Sequence, residues 1–119
     1  MDLGLSTKQA YELGNSLNNV KQGYKDYIIN TVIEEASEVF SVSVEEIKNP
    51  RKKYGALLAR AAVSQILYAF QFSKNQIGNV LNRHHATIIN SIEKHDAMYS
   101  IDKAYKAKFD TLINNLPNI

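Results

Sequence analysis

The chain has 119 residues, ordinary apolar content, no cysteine and a formal net charge of +2, which suits one small domain, or one domain with an extension, that can bury a core. The lack of cysteine excludes disulfides, thiolate zinc sites and cysteine nucleophiles. No apolar run approaches the roughly twenty residues of a transmembrane helix, and the Met-Asp-Leu-Gly start has neither the basic head nor the apolar stretch of a secretory signal, so a cytoplasmic protein with no membrane partner is expected.

Helical periodicity runs through almost the whole chain, strand-like alternation is absent, and only Pro50 and Pro117 interrupt. Ser6 is placed to cap a first helix with apolar residues at Ala10, Leu13, Leu17, Val20 and Tyr24. Gly14 and Gly23 weaken it, and a break is expected at Gly23. Residues 1–23 thus read as an N-terminal helical extension and 24–119 as the main domain. The apolar seam covers roughly two heptads, which favours internal packing over a zipper and predicts a monomer or weak homodimer. Over residues 24–40, Ile28, Val32, Ala36, Val39 and Phe40 line one face, and Glu34, Glu35 and Glu38 take the other. Ser43 with Glu46 is a capping box for a short helix that Pro50 ends, and the basic loop Arg51-Lys52-Lys53 follows. From residue 54 to about 71 lies the most hydrophobic segment, with Leu57, Leu58, Ala61, Ala62, Val63, Ile66, Leu67, Ala69 and Phe70, which predicts the central core helix. Ser73 with Gln76 is a second capping box and opens a helix over 74–81. Asn82 and Arg83 make a short turn, since Asn tolerates the left-handed conformation. The next helix is expected from residue 84 to about 99, packed through Ile88, Ile89 and Ile92. The last is capped by Ser100, with Tyr105, Phe109, Leu112 and Ile113 inward. The expected fold class is all-α, a compact multi-helix domain.

Charge is segregated along this chain. Residues 1–46 carry eight acids against three lysines, and residues 93–119 carry four of each. Residues 47–92 have no acid and seven basic residues: Lys48, Arg51, Lys52, Lys53, Arg60, Lys74 and Arg83. A surface of one sign attracts a polyanion.

Within that window, two helices joined by a tight turn form a candidate helix-turn-helix. In such motifs the first residues of the second helix reach base edges in the major groove. Those residues here are His84, His85, Ala86 and Thr87, preceded by Arg83. Arg donates twice to guanine or binds phosphate, His donates or accepts, and the Ala and Thr methyls can touch a thymine methyl. Phosphate contacts are expected from Arg51, Lys52, Lys53, Lys74, Asn82 and Lys94. At about 100° per residue, Arg83, Thr87, Ser91 and Lys94 share one face with His84 nearby. His85 falls closer to Ile88, Ile89 and Ile92, which leaves it open between a half-buried capping histidine and a DNA contact. Arg60, with Ser64 one turn on, is either at the wet edge of the central helix with its stem on the core or a DNA contact.

Catalytic and metal readings find no support in the residues. There is no Gly-x-Ser-x-Gly, and Glu34, Glu35 and Glu38 lie on a solvated face. His84 and His85 point apart on a helix, and His95 lies about 16 Å further along the axis, so the three cannot close one coordination sphere. Neither an enzyme nor a cofactor is expected.

The segment Gln76-Ile77-Gly78-Asn79-Val80-Leu81-Asn82-Arg83-His84-His85-Ala86-Thr87-Ile88-Ile89 resembles the signature of the C-terminal DNA-binding domain of the bacterial replication initiator DnaA. That family reads Ile-Gly, a few residues, an aromatic, then Gly-Gly-Arg-Asp-His-Thr-Thr-Val. The similarity continues upstream through Val42-Ser43-Val44-Glu45-Glu46-Ile47, the basic loop and the central helix with Arg60, and covers roughly residues 28–98. It implies a Trp-repressor-like helical domain with an inserted helix-turn-helix, nucleoid-associated and bound to double-stranded DNA. It also implies that Arg60 enters the minor groove while the motif reads the major groove. Arg83, His85 and Thr87 match the family pattern. His84 replaces the family's acid, Ala86 its first threonine, and Asn82 its paired glycines. Loss of the acid removes an acceptor suited to cytosine N4, so a different recognition sequence is expected. No Gly-rich P-loop is present, so the chain resembles that domain without its ATPase, as an accessory, phage or mobile-element version or an excised piece.

The expectation is sequence-specific DNA binding, in replication initiation or regulation. Roughly five neutralised phosphates predict a log–log salt slope of about −4 to −5. The alternative is an adaptor whose acidic helix around Glu34–Glu38, or N-terminal seam, docks a replication or regulatory protein.

Overall fold

The computed structural model describes residues 22–49 and 54–117. Among them are six helices and no strand: α1 (Gln22–Phe40), α2 (Val44–Lys48), α3 (Tyr54–Ala69), α4 (Lys74–Leu81), α5 (His85–Ile101) and α6 (Lys103–Asn115). The fold class is all-α. The helix predicted to start at Ser6 and the basic loop Arg51-Lys52-Lys53 lie outside the described residues. Gly23 is the second residue of the described α1, and what precedes Gln22 lies outside the described residues. Its cost of about 1 kcal/mol relative to Ala is small beside the burial that the rest of α1 achieves.

The core is built around α3. Ala59, Ala62, Val63, Ile66 and Leu67 are shut off from solvent on this helix. Helix α1 packs on it through Ile28, Val32, Ile33, Ala36 and Phe40, and α5 through Ile88 and Met98. Helix α6 then closes over α1 and α5 with Tyr105, Phe109 and Leu112, all fully buried. Each such aliphatic or aromatic side chain contributes about 1.5–3 kcal/mol of transfer free energy.

Both predicted capping boxes are present. Ser43 accepts from the Glu46 amide at 3.0 Å while the Glu46 carboxylate accepts from the Ser43 amide at 3.3 Å. Ser73 and Gln76 make the same reciprocal pair at 3.1 and 2.8 Å. The cap of α6 differs from expectation. Helix α5 runs on to Ile101, and Asp102 caps α6 by accepting the Tyr105 amide at 3.0 Å. Ser100 lies inside α5, where its hydroxyl donates to the Asp96 carbonyl. Asp caps as well as Ser, and here it is Asp102 that stands three residues before a free amide.

Helices α1, α3 and α4 end alike, each on a left-handed residue that is not glycine: Ser41, Gln71 and Asn82. In each case the following amide donates back five residues, Val42 to Ser37, Phe72 to Leu67 and Arg83 to Gly78. This pattern satisfies a carbonyl that the helix end leaves without a partner.

Candidate nucleic-acid interface

The eight-residue α4 is anchored by Ile77 and Leu81, which are both fully buried. Between them Gly78 lets the turn fold close: a Cβ there would collide with the Arg83 carbonyl oxygen. Asn82 takes φ 55° and ψ 45°, a conformation Asn tolerates better than most residues. The chain then extends through Arg83 into His84, the N-cap of α5.

His84 caps with its ring. Its Nδ1 accepts the Ala86 amide at 3.2 Å, which leaves the proton of the neutral ring on Nε2, the edge away from the helix. The His84 and His85 rings lie 4.2 Å apart, tilted by 36°, rather than pointing apart as neighbours within a helix would, because His84 stands on the extended N-cap before α5. His84, His85, Ala86 and Thr87 are all exposed, whereas Ile88 is fully buried. His85 is therefore a surface residue, although a helical wheel places it nearer the apolar side. A wheel assumes neighbours on every turn, and a residue in the first turn has none before it. Ile89 was expected in the core with Ile88 and Ile92, but it is 36% exposed, and only Ile88 and the half-buried Ile92 face inward.

Beyond the first turn, the outer face of α5 continues through Asn90 and Lys94, both exposed. Asn90 and Ile89 complete the surface begun by Ala86 and Thr87 and were missed by sequence reasoning. Their spacing of three from those residues was the available signal. Asn is the side chain best shaped to pair with adenine, and Ile offers an apolar contact for thymine.

Arg60 is not where the resemblance placed it. It is only 2% exposed, and its guanidinium turns inward rather than toward a groove. Nη1 donates to the carbonyls of Glu46 at 2.8 Å and Asn49 at 3.2 Å, with the Ile47 carbonyl at 3.5 Å. These are the terminal carbonyls of α2, which five residues of helix cannot satisfy alone. A cation at a helix C-terminus also meets the negative end of its dipole. Burial, and then the nearby Arg83, hold the Arg60 pKa below its usual value. The Nη2 atom of Arg60 and the Oγ of Ser64 are buried without a hydrogen-bond partner. As a minor-groove probe Arg60 is thus corrected: in this fold it staples α2 to α3.

The same helix end receives the turn. Asn82 Nδ2 donates to the Lys48 carbonyl at 3.0 Å, and Arg83 Nη2 donates to the Asn49 carbonyl at 3.1 Å. Asn82, expected on phosphate, thus directs amide donor capacity to α2. Of the other expected phosphate contacts, Lys94 is exposed, and Lys74 is half-buried with its ammonium 5.1 Å from the centre of the Tyr68 ring. Lys48, half-buried at the end of α2, joins the basic residues around the turn.

The third histidine is remote from this surface in role and setting. His95 is fully buried, with Nδ1 2.7 Å from the Tyr105 hydroxyl and its ring 4.4 Å from that of Phe109. Burial lowers its pKa to about 4, against a smaller opposing effect of Asp96. Burial, aided by Asp96, raises the pKa of the Tyr105 hydroxyl and keeps it protonated. Among the described residues, no three His, Asp or Glu side chains are grouped to hold a metal ion. No helix among them is long and apolar enough to cross a membrane. Comparison of the chain with models of known protein families, and with curated protein sequences, gave no match.

Proposed function

We propose that the protein binds double-stranded DNA, with the first turn of α5 presented to the major groove. The observation that carries this reading is an exposed quartet, His84, His85, Ala86 and Thr87, at the start of a helix whose next residue, Ile88, is fixed in the core. Polar donors and small methyl groups on a rigid helix end suit base edges, and the helix N-terminus favours adjacent phosphate. Arg83, just before the cap, contacts guanine or phosphate. His84 donates from Nε2. Thr87, Asn90 and Ile89 extend the readout, and Lys48, Lys74 and Lys94 neutralise phosphates. On this reading the resemblance to a replication initiator's DNA-binding domain indicates the class, a nucleoid-associated initiator-like or regulatory module, and His84 in place of an acid gives it its own target sequence.

Salt dependence tests the reading. Roughly five phosphates, met by Lys48, Lys74, Lys94 and the loop Arg51-Lys52-Lys53 that lies outside the described residues, predict a log–log slope of about −4 to −5 for duplex binding. A flat response overturns it. Arg83→Ala is expected to flatten sequence preference, whereas Lys94→Ala weakens all sequences alike.

A second reading is favoured by one observation. Tyr24 and Tyr27 stack with ring centres 6.2 Å apart and are 37% and 49% exposed. At steps of three and four they share a face of α1 with the exposed Glu34 and Glu38. That face suits a docked protein, as an adaptor of a replication complex requires. Charge reversal at Glu34, Glu35 and Glu38 discriminates: it abolishes partner capture and spares DNA affinity if both readings hold.

A further inference from the structure

We propose that Arg60 is a positioning residue for Arg83, acting through the backbone carbonyl of Asn49. The inference rests on the DNA reading above and changes the part Arg60 plays in it.

The geometry is a relay across one oxygen atom. The Asn49 carbonyl accepts Arg60 Nη1 at 3.2 Å and Arg83 Nη2 at 3.1 Å. A carbonyl has two lone pairs, and two guanidiniums fill them. Asn49 follows a five-residue helix and takes an extended conformation, φ −85° and ψ 136°, so the helix ladder does not orient its carbonyl. Arg60 does so from the buried side, because its Nη1 also grips the Glu46 carbonyl at 2.8 Å. Arg60 itself cannot swing away, being 2% exposed on the central helix. The oxygen that Arg83 bonds is thus fixed to the core, through Arg60.

Arg83 is held at both ends. Its amide donates to the Gly78 carbonyl at 2.8 Å, which fixes its backbone on α4, and its guanidinium is fixed on α2. The neighbouring Asn82–Lys48 bond at 3.0 Å ties the same two pieces of chain a second time. The two guanidiniums share one acceptor despite their mutual repulsion. What the arrangement achieves is direction. A long, flexible side chain just before the reading helix is aimed before DNA arrives, and its ordering cost is met in the free protein.

Two measurements on the whole chain decide the proposal. The first is backbone-independent order at the Arg83 Nε–H by NMR relaxation, without DNA. The expected result is a restricted side chain in the wild type that becomes mobile in Arg60→Met, with partial recovery in Arg60→Lys. An Arg83 already mobile in the wild type, or equally ordered in Arg60→Met, overturns the relay. The second uses a duplex enriched by the wild type from a randomised library, and the same duplex changed at the base whose preference Arg83→Ala loses. Arg60→Met is expected to cut discrimination between the two by about five- to tenfold, a part of what one base contact supplies. In an Arg83→Ala background the same substitution should change nothing. Equal effects in both backgrounds overturn positioning while leaving the DNA reading intact. If the wild type shows no salt-dependent duplex binding at all, the DNA reading falls, and with it this role in recognition. Should Arg60→Met fail to fold, Arg60→Lys is carried through both measurements with a partial loss of order and discrimination expected, and loss of neither in a folded Arg60→Lys overturns the positioning role.

Discussion

The buried histidine makes stability depend on pH in a defined window. His95 is fully buried among Tyr99, Tyr105 and Phe109, with ring centres at 5.6, 5.6 and 4.4 Å. In the native state it takes a proton only near pH 4, whereas in the unfolded chain it does so near 6.5. Between these values the unfolded chain binds more protons, so each step down in pH favours unfolding. Above 6.5 the neutral ring is the same in both states, and the native fold keeps its full stability. Across the window the loss reaches about 3 kcal/mol, at a steepest slope near 1.4 kcal/mol per pH unit. That is a large share of the roughly 5–15 kcal/mol of a whole domain. Urea unfolding from pH 7.5 down to about 4.5 measures it. The control is His95→Leu combined with Tyr105→Phe, which removes the titrating group without leaving the buried hydroxyl unpaired. The control is expected to lose less stability on acidification, by about 2–3 kcal/mol, since all surface carboxylates titrate alike in both proteins. Parallel pH curves for the two proteins would refute the reasoning, because they would mean that His95 accepts its proton as readily folded as unfolded.

Three further outcomes follow from the turns and caps. Gln71 holds φ 73° at the end of α3, a conformation that costs a residue with a Cβ about 1 kcal/mol or more, so Gln71→Gly should raise stability by about that amount in thermal or urea unfolding. Gly78→Ala gains helix propensity but drives a Cβ into the Arg83 carbonyl, and should destabilise by about 1–2 kcal/mol; if the proposed DNA binding holds, it should also weaken duplex affinity further than a distant substitution of equal cost. Ser73→Ala removes the α4 cap and should cost about 1 kcal/mol, seen as a lower urea midpoint with an unchanged m-value.

The starts of α2 and α4 were readable because their chemistry is local, whereas α6 is capped by Asp102 rather than by the expected Ser100. Ser43 with Glu46, and Ser73 with Gln76, announce their caps within four residues. The ends of α1 and α4 fall where expected, at Phe40 and Leu81, but the residues that stop the helices carry less signal. Ser41 and Gln71 stand in the left-handed positions where glycine is the usual sign, and only Asn82 announced itself. The core stripe of α3 was legible from composition, yet the fate of its one arginine was not. Its acceptors lie 11 to 14 residues earlier in the chain, on carbonyls that carry no sequence signal. The burial of His95 carries no local signal, since it depends on α6 folding over α5. The exposure of His85 follows from its place in a first turn, which a periodicity argument overlooks.

The burial of Arg60 also changes what the basic window offers at the surface. Counted along the sequence, its seven charges read as one surface for a polyanion. In the fold, Arg60 is consumed by α2, Arg83 is tethered to the same helix end, and Lys74 leans on Tyr68. Among the described residues, fewer charges are therefore left loose to gather phosphates, and more are spent on holding one donor and one exposed helix turn in place. If the protein binds duplex DNA as proposed, these described residues should contribute less to its salt dependence than their formal charge suggests and more to its choice of bases. Preorganised contacts lose little entropy on binding, whereas lysines on free stems lose rotamer freedom for each phosphate they hold. The ratio of specific to non-specific affinity, rather than affinity itself, is therefore the quantity that this arrangement of Arg60, Asn49 and Arg83 is suited to raise.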